Sequence, residues 1–180
     1  MGRRIIIFID AQALLKGAWK VCKKGFQISH FELVKDLSAD RELIRVYLYD
    51  GIYPEDAGKC DPDFLKERKR KLQWAKGFWG SGITVKLIEM RESGKCKYRQ
   101  KGVDVRMASD MLTLAFRDAY DIAVLVSGDG DFGEVIDEIK SMGKRVEIAY
   151  YRGYGFSERL KESADKIIYL QDLPSFKGCS

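Results

Sequence analysis

Histidine and proline are scarce: one His and three Pro in 180 residues. A lone imidazole, His30, excludes Ser-His-Asp and Cys-His catalysis unless His30 itself serves. The four cysteines, Cys22, Cys60, Cys96 and Cys179, include no CxxC pair. A zinc site needs thiolates or imidazoles clustered in sequence. The spacing therefore argues against zinc and equally against a disulfide framework, and the expectation is reduced thiols. The longest apolar runs are strand-sized, so no membrane span is expected. Met1 to Arg4 leads straight into IIIFID without the charged, apolar and small-residue regions of a signal peptide, and the expected location is cytoplasmic. No G-x-x-x-x-G-K-[ST] occurs, which excludes a P-loop NTPase. Repeats, low-complexity segments and linkers are missing too, so one domain over residues 1–180 is expected.

What is present is alternation. Residues 5–9, IIIFI, are an apolar run of β-branched and aromatic residues, the mark of a strand buried on both faces. Further strands are predicted at 43–49, 83–91, 121–127, 144–151 and 166–170. Helices are predicted over 11–24, 31–37, 103–117, 131–142 and 157–164, and over a long segment that Asp61-Pro62 opens and Gly80 ends. Residues 94–102, GKCKYRQKG, read as a hairpin arm or extended loop, and RGYGF, 152–156, as a mobile loop. This order predicts a three-layer α/β/α sandwich with a mostly parallel central sheet. The net charge of +5 mildly favours a polyanionic partner.

The acids are placed where such a fold puts its sites, beyond the carboxyl ends of strands at the point where strand order reverses. The first apolar strand ends at Asp10, and the fourth, VLVS, stops just before Gly128-Asp129-Gly130-Asp131. If those strands are neighbours, their acids meet. On a helical wheel Asp104 falls with Ala108, Met111 and Ala115, so it is expected on the core-facing stripe, in the first turn of its helix. Asp110 falls on the polar side with Arg106, Thr113 and Arg117, and reads as solvated or salt-bridged. Three of these acids also have a local reading, and Asp104 is hardest to dismiss. Asp131 with Glu134 matches a capping box, Asp10 suits a helix cap, and Asp129 suits a turn. Yet two carboxylates about 4 Å apart repel by about 4 kcal/mol at an intermediate dielectric. A cluster therefore calls for protonation or for a cation. With oxygen ligands alone, that cation would be Mg²⁺ or Mn²⁺.

FID at 8–10, KGVDVRMASDM at 101–111, VSGDGDF at 126–132 and S-x-x-L-x-x-x-A-D-x-I from Ser157 to Ile167 together resemble the NYN domain, LabA-like branch. The resemblance implies a PIN-like ribonuclease fold and metal-dependent cleavage of RNA by clustered aspartates. It maps metal ligation onto Asp10, Asp104 and Asp129, with Asp131 alongside as a fourth catalytic candidate. Asp110 also matches a frequent family acid. The family usually places an asparagine two residues after its first aspartate. Here that position is Gln12, which keeps an amide but reaches one methylene further. A haloacid-dehalogenase phosphatase shares the GDGD echo but needs an aspartate where Gln12 stands.

Two basic stretches offer paths for a substrate. The helix at 64–79 carries Lys66, Lys69, Arg70 and Lys76 largely away from Leu65, Leu72, Ala75 and Trp79, an ordinary solvated face. Its Trp74 and Phe78 either stack on bases or pack into the core. In the arm, Lys95, Lys97, Arg99 and Lys101 alternate with Cys96, Tyr98 and Gln100. If extended, this spacing throws the cations to one face, leading into Asp104. The whole reads as a Mg²⁺- or Mn²⁺-dependent ribonuclease with catalytic Asp10, Asp104, Asp129 and Asp131. Gln12, Ser127, Lys95, Lys97, Arg99 and Lys101 would contact substrate. RNA is the expected partner, a membrane is not, and a homodimer is left open. The alternative is an RNA-binding or scaffold protein that keeps the fold without catalysis.

Overall fold

The computed structural model describes residues 3–179. The chain runs β1 (Arg4–Asp10), α1 (Ala11–Val21), α2 (His30–Ser38), β2 (Glu42–Ile52), α3 (Pro62–Lys76), β3 (Ile83–Glu89), β4 (Arg91–Glu92) and β5 (Tyr98–Arg99). It continues as α4 (Val103–Phe116), β6 (Ile122–Val126), α5 (Gly133–Ser141), β7 (Arg145–Tyr150), α6 (Glu158–Ser163) and β8 (Lys166–Tyr169). Six strands form one sheet in the order β3-β2-β1-β6-β7-β8, and every pairing is parallel. The chain starts in the middle, winds to one edge, then returns to fill the other half. Strand order therefore reverses between β1 and β6, which lie side by side as Ile9 against Val126. This is the expected PIN-like α/β sandwich.

β1 is the axle because IIIFI has no polar side chain to expose. Ile5, Ile7 and Ile9 pack in one layer with Leu14, Leu33 and Leu37 of α1 and α2. Ile6 and Phe8 pack in the other with Met107, Met111 and Ile136 of α4 and α5. Each such fully buried side chain stabilises the fold by roughly 1.5–3 kcal/mol. Caps set the helix starts: Asp10 for α1, Ser29 for α2, and Asp61, with Pro62 behind it, for α3. Among the described residues no helix is long and apolar enough to cross a membrane.

Three expectations need correction. The cysteines are not reduced thiols: Cys22 pairs with Cys179, and Cys60 with Cys96. Sequence spacing hid this because the partners lie 157 and 36 residues apart and only the fold brings them together. The first bridge ties the end of α1 to the C-terminal segment, where the Lys23 amide also donates to the Cys179 carbonyl at 2.9 Å. Next, α3 ends at Lys76, and Leu72 and Trp79, expected on its apolar side, are exposed. The inward stripe runs instead through Arg68, Lys71, Trp74 and Ala75 to the buried Phe78. It docks partly through polar groups, with Lys71 Nζ donating to the Gly51 carbonyl at 2.6 Å and pairing with Asp50. Finally, the buried stripe of α4 is Val103, Met107, Met111 and Ala115. Asp104 therefore sits at the stripe's edge, about 100° around from Val103, and is exposed.

Candidate active site

The ends of β1 and β6 place the first two acids. Asp10 is the last residue of β1, and its Oδ1 accepts from the Ala13 amide at 2.9 Å, capping α1. Only 7% of Asp10 is exposed. Burial raises its pKa to about 6, the charges of Asp104 and Asp50 push the same way, and the amides of Ala13 and Gln12 pull against them. After β6 comes the fully buried Ser127, whose Oγ accepts from the Asp129 amide at 3.3 Å. Asp129 is exposed and caps a single 3-10 turn, Gly130–Phe132, by accepting from the Asp131 amide at 3.0 Å. The cap is thus Asp129, and the capping box predicted for Asp131 and Glu134 does not form, because Asp131 lies inside that turn and Phe132 holds the position before α5.

Asp104 reaches the same place from the first turn of α4. Its pKa is raised, first by partial loss of water, then by the charge of Asp129 and, less, of Asp131. Its surface remains open, so the loss of water is incomplete and the repulsion from Asp129 is what locates it. Asp10, Asp104 and Asp129 line one cleft of about 690 Å³ with Gln12 and Ser127. The glycines make its floor. A Cβ at Gly128 would lie 2.2 Å from the Tyr150 ring and 2.5 Å from the Gly155 carbonyl oxygen. The backbone after β6 therefore passes where no side chain fits. Glycine also lets the RGYGF loop close the far wall with Tyr154 and Phe156.

Some predicted residues stand apart. Asp131 is exposed and does not line the cleft. Asp110 is occupied elsewhere. Burial would raise its pKa, but hydrogen bonds from Lys86 at 2.6 Å, Tyr49 at 2.9 Å and Arg106 at 3.2 Å hold it below the usual range. Lys95, Lys97, Arg99 and Lys101 are all exposed, beside the cleft rather than in it. Their arm is a short hairpin, β4 against β5. Its alternation holds from Lys97 to Lys101 but not to Lys95, since Cys96 adopts a left-handed backbone (φ 57°) that turns the chain. Gln100, the residue between two of those cations, is the arm's contribution to the cleft lining.

The profile of the NYN domain matches residues 4–171. The chain belongs to the NYN domain family. It is 24% identical over 140 residues to the low amplitude and bright protein LabA of Synechococcus elongatus, covering 75% of this chain and 67% of that one. A crystal structure of a protein of unknown function from Vibrio parahaemolyticus superposes with a TM-score of 0.68 at 21% identity, over 95% of this chain and 94% of that one. That likeness is one of fold.

Within this NYN domain, sequence reasoning missed several cleft residues. Lys16 lines the cleft from α1, and its Nζ donates to Gln12 Oε1 at 2.8 Å. The i, i+4 spacing from Gln12 was the available signal. Tyr150, at the end of β7, also faces the cleft, and burial together with Tyr154, Asp10 and Asp129 pushes its phenol up to about 12. Asp50 lies at the same sheet edge, 7% exposed and paired with Lys71 Nζ at 2.7 Å. The strand predicted at 43–49 stops just before Asp50, so the rule used for strands one and four would have found it, although the strand runs on to Ile52.

NYN and PIN-like nucleases generally use divalent metal ions. Among the described residues no group of three His, Cys, Asp or Glu side chains encloses a single ion. Mg²⁺ does not demand such a cage, because it keeps several waters and is held through one or two carboxylates. The donor set of the cleft is all oxygen. Burial is the first cause of the raised pKa values of Asp10 and Asp104, and neighbouring carboxylates add to both. These residues fit a hydrated divalent ion.

Proposed function

We propose that this NYN domain is a metal-dependent ribonuclease that hydrolyses RNA phosphodiester bonds in the cleft of Asp10, Asp104 and Asp129. The observation behind this reading is the gathering of three carboxylates from three elements at the β1–β6 switch point, with Asp104 acting on Asp10 and Asp129 on Asp104. Asp10, Asp104 and Asp129 would hold Mg²⁺ or Mn²⁺. A bound ion would lower the pKa of a water and neutralise charge developing on the phosphoryl group.

The chain's own residues supply position. Asp10 is fixed by the Ala13 amide and Asp129 by that of Asp131, so neither swings freely. Lys16 sets a cation opposite the acids, where a phosphodiester oxygen needs one. Tyr150 keeps its proton at neutral pH and donates it weakly, at 3.4 Å, to the Ala13 carbonyl, from which a substrate oxygen would have to draw it, and Ser127 Oγ offers another donor. The exposed cations Lys97, Arg99 and Lys101 flank the path a strand would take to the cleft, contacts that position RNA without reading its sequence.

The rival reading is an RNA-binding scaffold without turnover. It draws on Gln12, whose amide oxygen is committed to Lys16. Purified protein incubated with single-stranded RNA and Mg²⁺ or Mn²⁺, with and without chelator, separates the two. Turnover that chelator abolishes, and that Asp10→Asn and Asp104→Asn each abolish while RNA binding persists, is expected. RNA binding without products under every metal tested would leave the scaffold.

A further inference from the structure

A second cavity, of about 270 Å³, lies between α1 and α3. It adjoins the acidic cleft: Ala11 of its wall follows Asp10 of the cleft, and Asp50 at its end is close enough to act on Asp10. Its walls are apolar, with Ala11 and Leu15 from α1 and the Trp74 indole from α3. Its size falls below the roughly 300–1,000 Å³ of drug-sized sites and suits one small planar ring.

Two of its polar groups lack partners. His30 Nε2 is buried with no hydrogen bond, while the ring is held edge-on by Trp74 at 5.9 Å and Phe78 at 5.6 Å. A buried ring nitrogen left unpaired costs free energy that a ligand's hydrogen bond would return. Arg70 is exposed at the rim and, like Lys69 before it, has no ion-pair partner among the described residues. By contrast, Asp50 and Lys71 satisfy each other at 2.7 Å.

We propose that this cavity is a nucleobase subsite, seating one base of an RNA strand whose scissile phosphate lies in the adjoining acidic cleft. The proposal rests on RNA being the ligand of that cleft. A nucleobase matches each feature at once. Its faces stack on Trp74 and Leu15, its polar edge meets His30 once the ring turns Nε2 out of its fully covered position, and the phosphate outside meets Arg70. An aliphatic ligand would leave His30 unpaired, and a bare anion would be set against Asp50. The same chemistry can arrive as a base of a strand or as a free mononucleotide, and the strand is favoured because the cavity abuts the cleft and the unpaired cations Lys69 and Arg70 continue along α3.

His30 is the only imidazole in the chain, so its ring signals are an unambiguous reporter. Isotope-labelled Asp104→Asn protein, in calcium, would be titrated with single-stranded RNA hexamers, with hexamers abasic at one position each, and with 5′-mononucleotides. The His30 signals are expected to move with the hexamer and to stay still when one particular position is abasic. Leu15→Trp fills the cavity from a side chain already 37% exposed. It should abolish the His30 response and weaken hexamer binding about tenfold, the loss of one stacked base. A response to mononucleotides but not to hexamers would overturn the strand assignment. Unmoved His30 signals in parent-sequence and Asp104→Asn protein, with RNA bound, would overturn the subsite altogether. Cleavage is scored separately with the natural sequence. Turnover without a His30 response sinks the subsite alone, and a His30 response without turnover sinks the nuclease reading alone.

Discussion

Substituting Asp10→Asn should make the metal-free protein more stable, and by an amount that depends on pH. Asp10 is 7% exposed, so solvent screens it little. Its pKa rises from 3.8 to about 6, with burial the first cause. At roughly 1.4 kcal/mol per pH unit, the ionised form costs the fold about 3 kcal/mol at neutral pH. Below about pH 4 the carboxyl is protonated in both states and the cost vanishes. Between about pH 4 and 6 the unfolded chain ionises while the folded one keeps its proton, so this contribution to stability falls as pH rises. Above pH 6 the cost is complete. Asparagine removes the charge, and it caps helices as well as aspartate does, so the Ala13 amide keeps an acceptor. Urea unfolding in chelator, with the disulfides kept oxidised, should show the two proteins nearly equal at pH 4. At pH 7.5 the variant should be ahead by a few kcal/mol, and Mg²⁺ should narrow that lead by stabilising the carboxylate. A lead that does not grow between pH 4 and 6 would refute the reasoning, because repulsion and burial act only on the charged form.

Gly128→Ala should cost roughly 1–3 kcal/mol by urea unfolding, because its Cβ would press on the Tyr150 ring and the Gly155 carbonyl; an unchanged midpoint would show that the wall yields. Denatured without reductant, the chain should show no free thiol, and after reduction each opened bridge should lower stability by roughly 2–4 kcal/mol; thiols that titrate at once would contradict the pairing. Replacing Lys97, Arg99 and Lys101 with glutamine should flatten the slope of log RNA affinity against log salt by roughly two, measured in calcium. An unchanged slope would move the RNA away from the arm.

The sheet and the switch point were legible because burial on both faces leaves no room for polar residues. IIIFI and VLV are therefore explicit, and so are the acids that end them. Asp104 was found for a reason one residue out of register: the wheel puts it with Met111 and Ala115, which are buried, but the stripe begins at Val103 and Met107 and leaves Asp104 at its edge. The disulfides were not legible, because contact between residues 157 apart depends on how the chain returns, which no local spacing records. The cavity beside α1 was unreadable for the same reason. Its parts come from α1, α2, β2 and α3, and the sequence offers Arg70 only on a solvated helix face and leaves Trp74 between base stacking and core packing.

Gln12 shows how one added methylene reorganises a site. Asparagine at this position, on a first helical turn beside the capping aspartate, keeps its amide close to its own backbone. Glutamine reaches one turn further along α1, and its Oε1 accepts from Lys16 Nζ at 2.8 Å. An exposed i, i+4 contact of this kind is worth only a few tenths of a kcal/mol, so it does not hold the helix together. Its effect is on where the ammonium rests. A free lysine beside Asp10, Asp104 and Asp129 would be drawn into an ion pair with them, neutralising the acids and closing the space between. Lys16 instead lies on the cleft wall, donates to Gln12 and, among the described residues, makes no ion pair to any of the three. The cleft thus keeps its acids and a separate cation on its wall, the two charges that the proposed divalent ion and phosphodiester would require side by side.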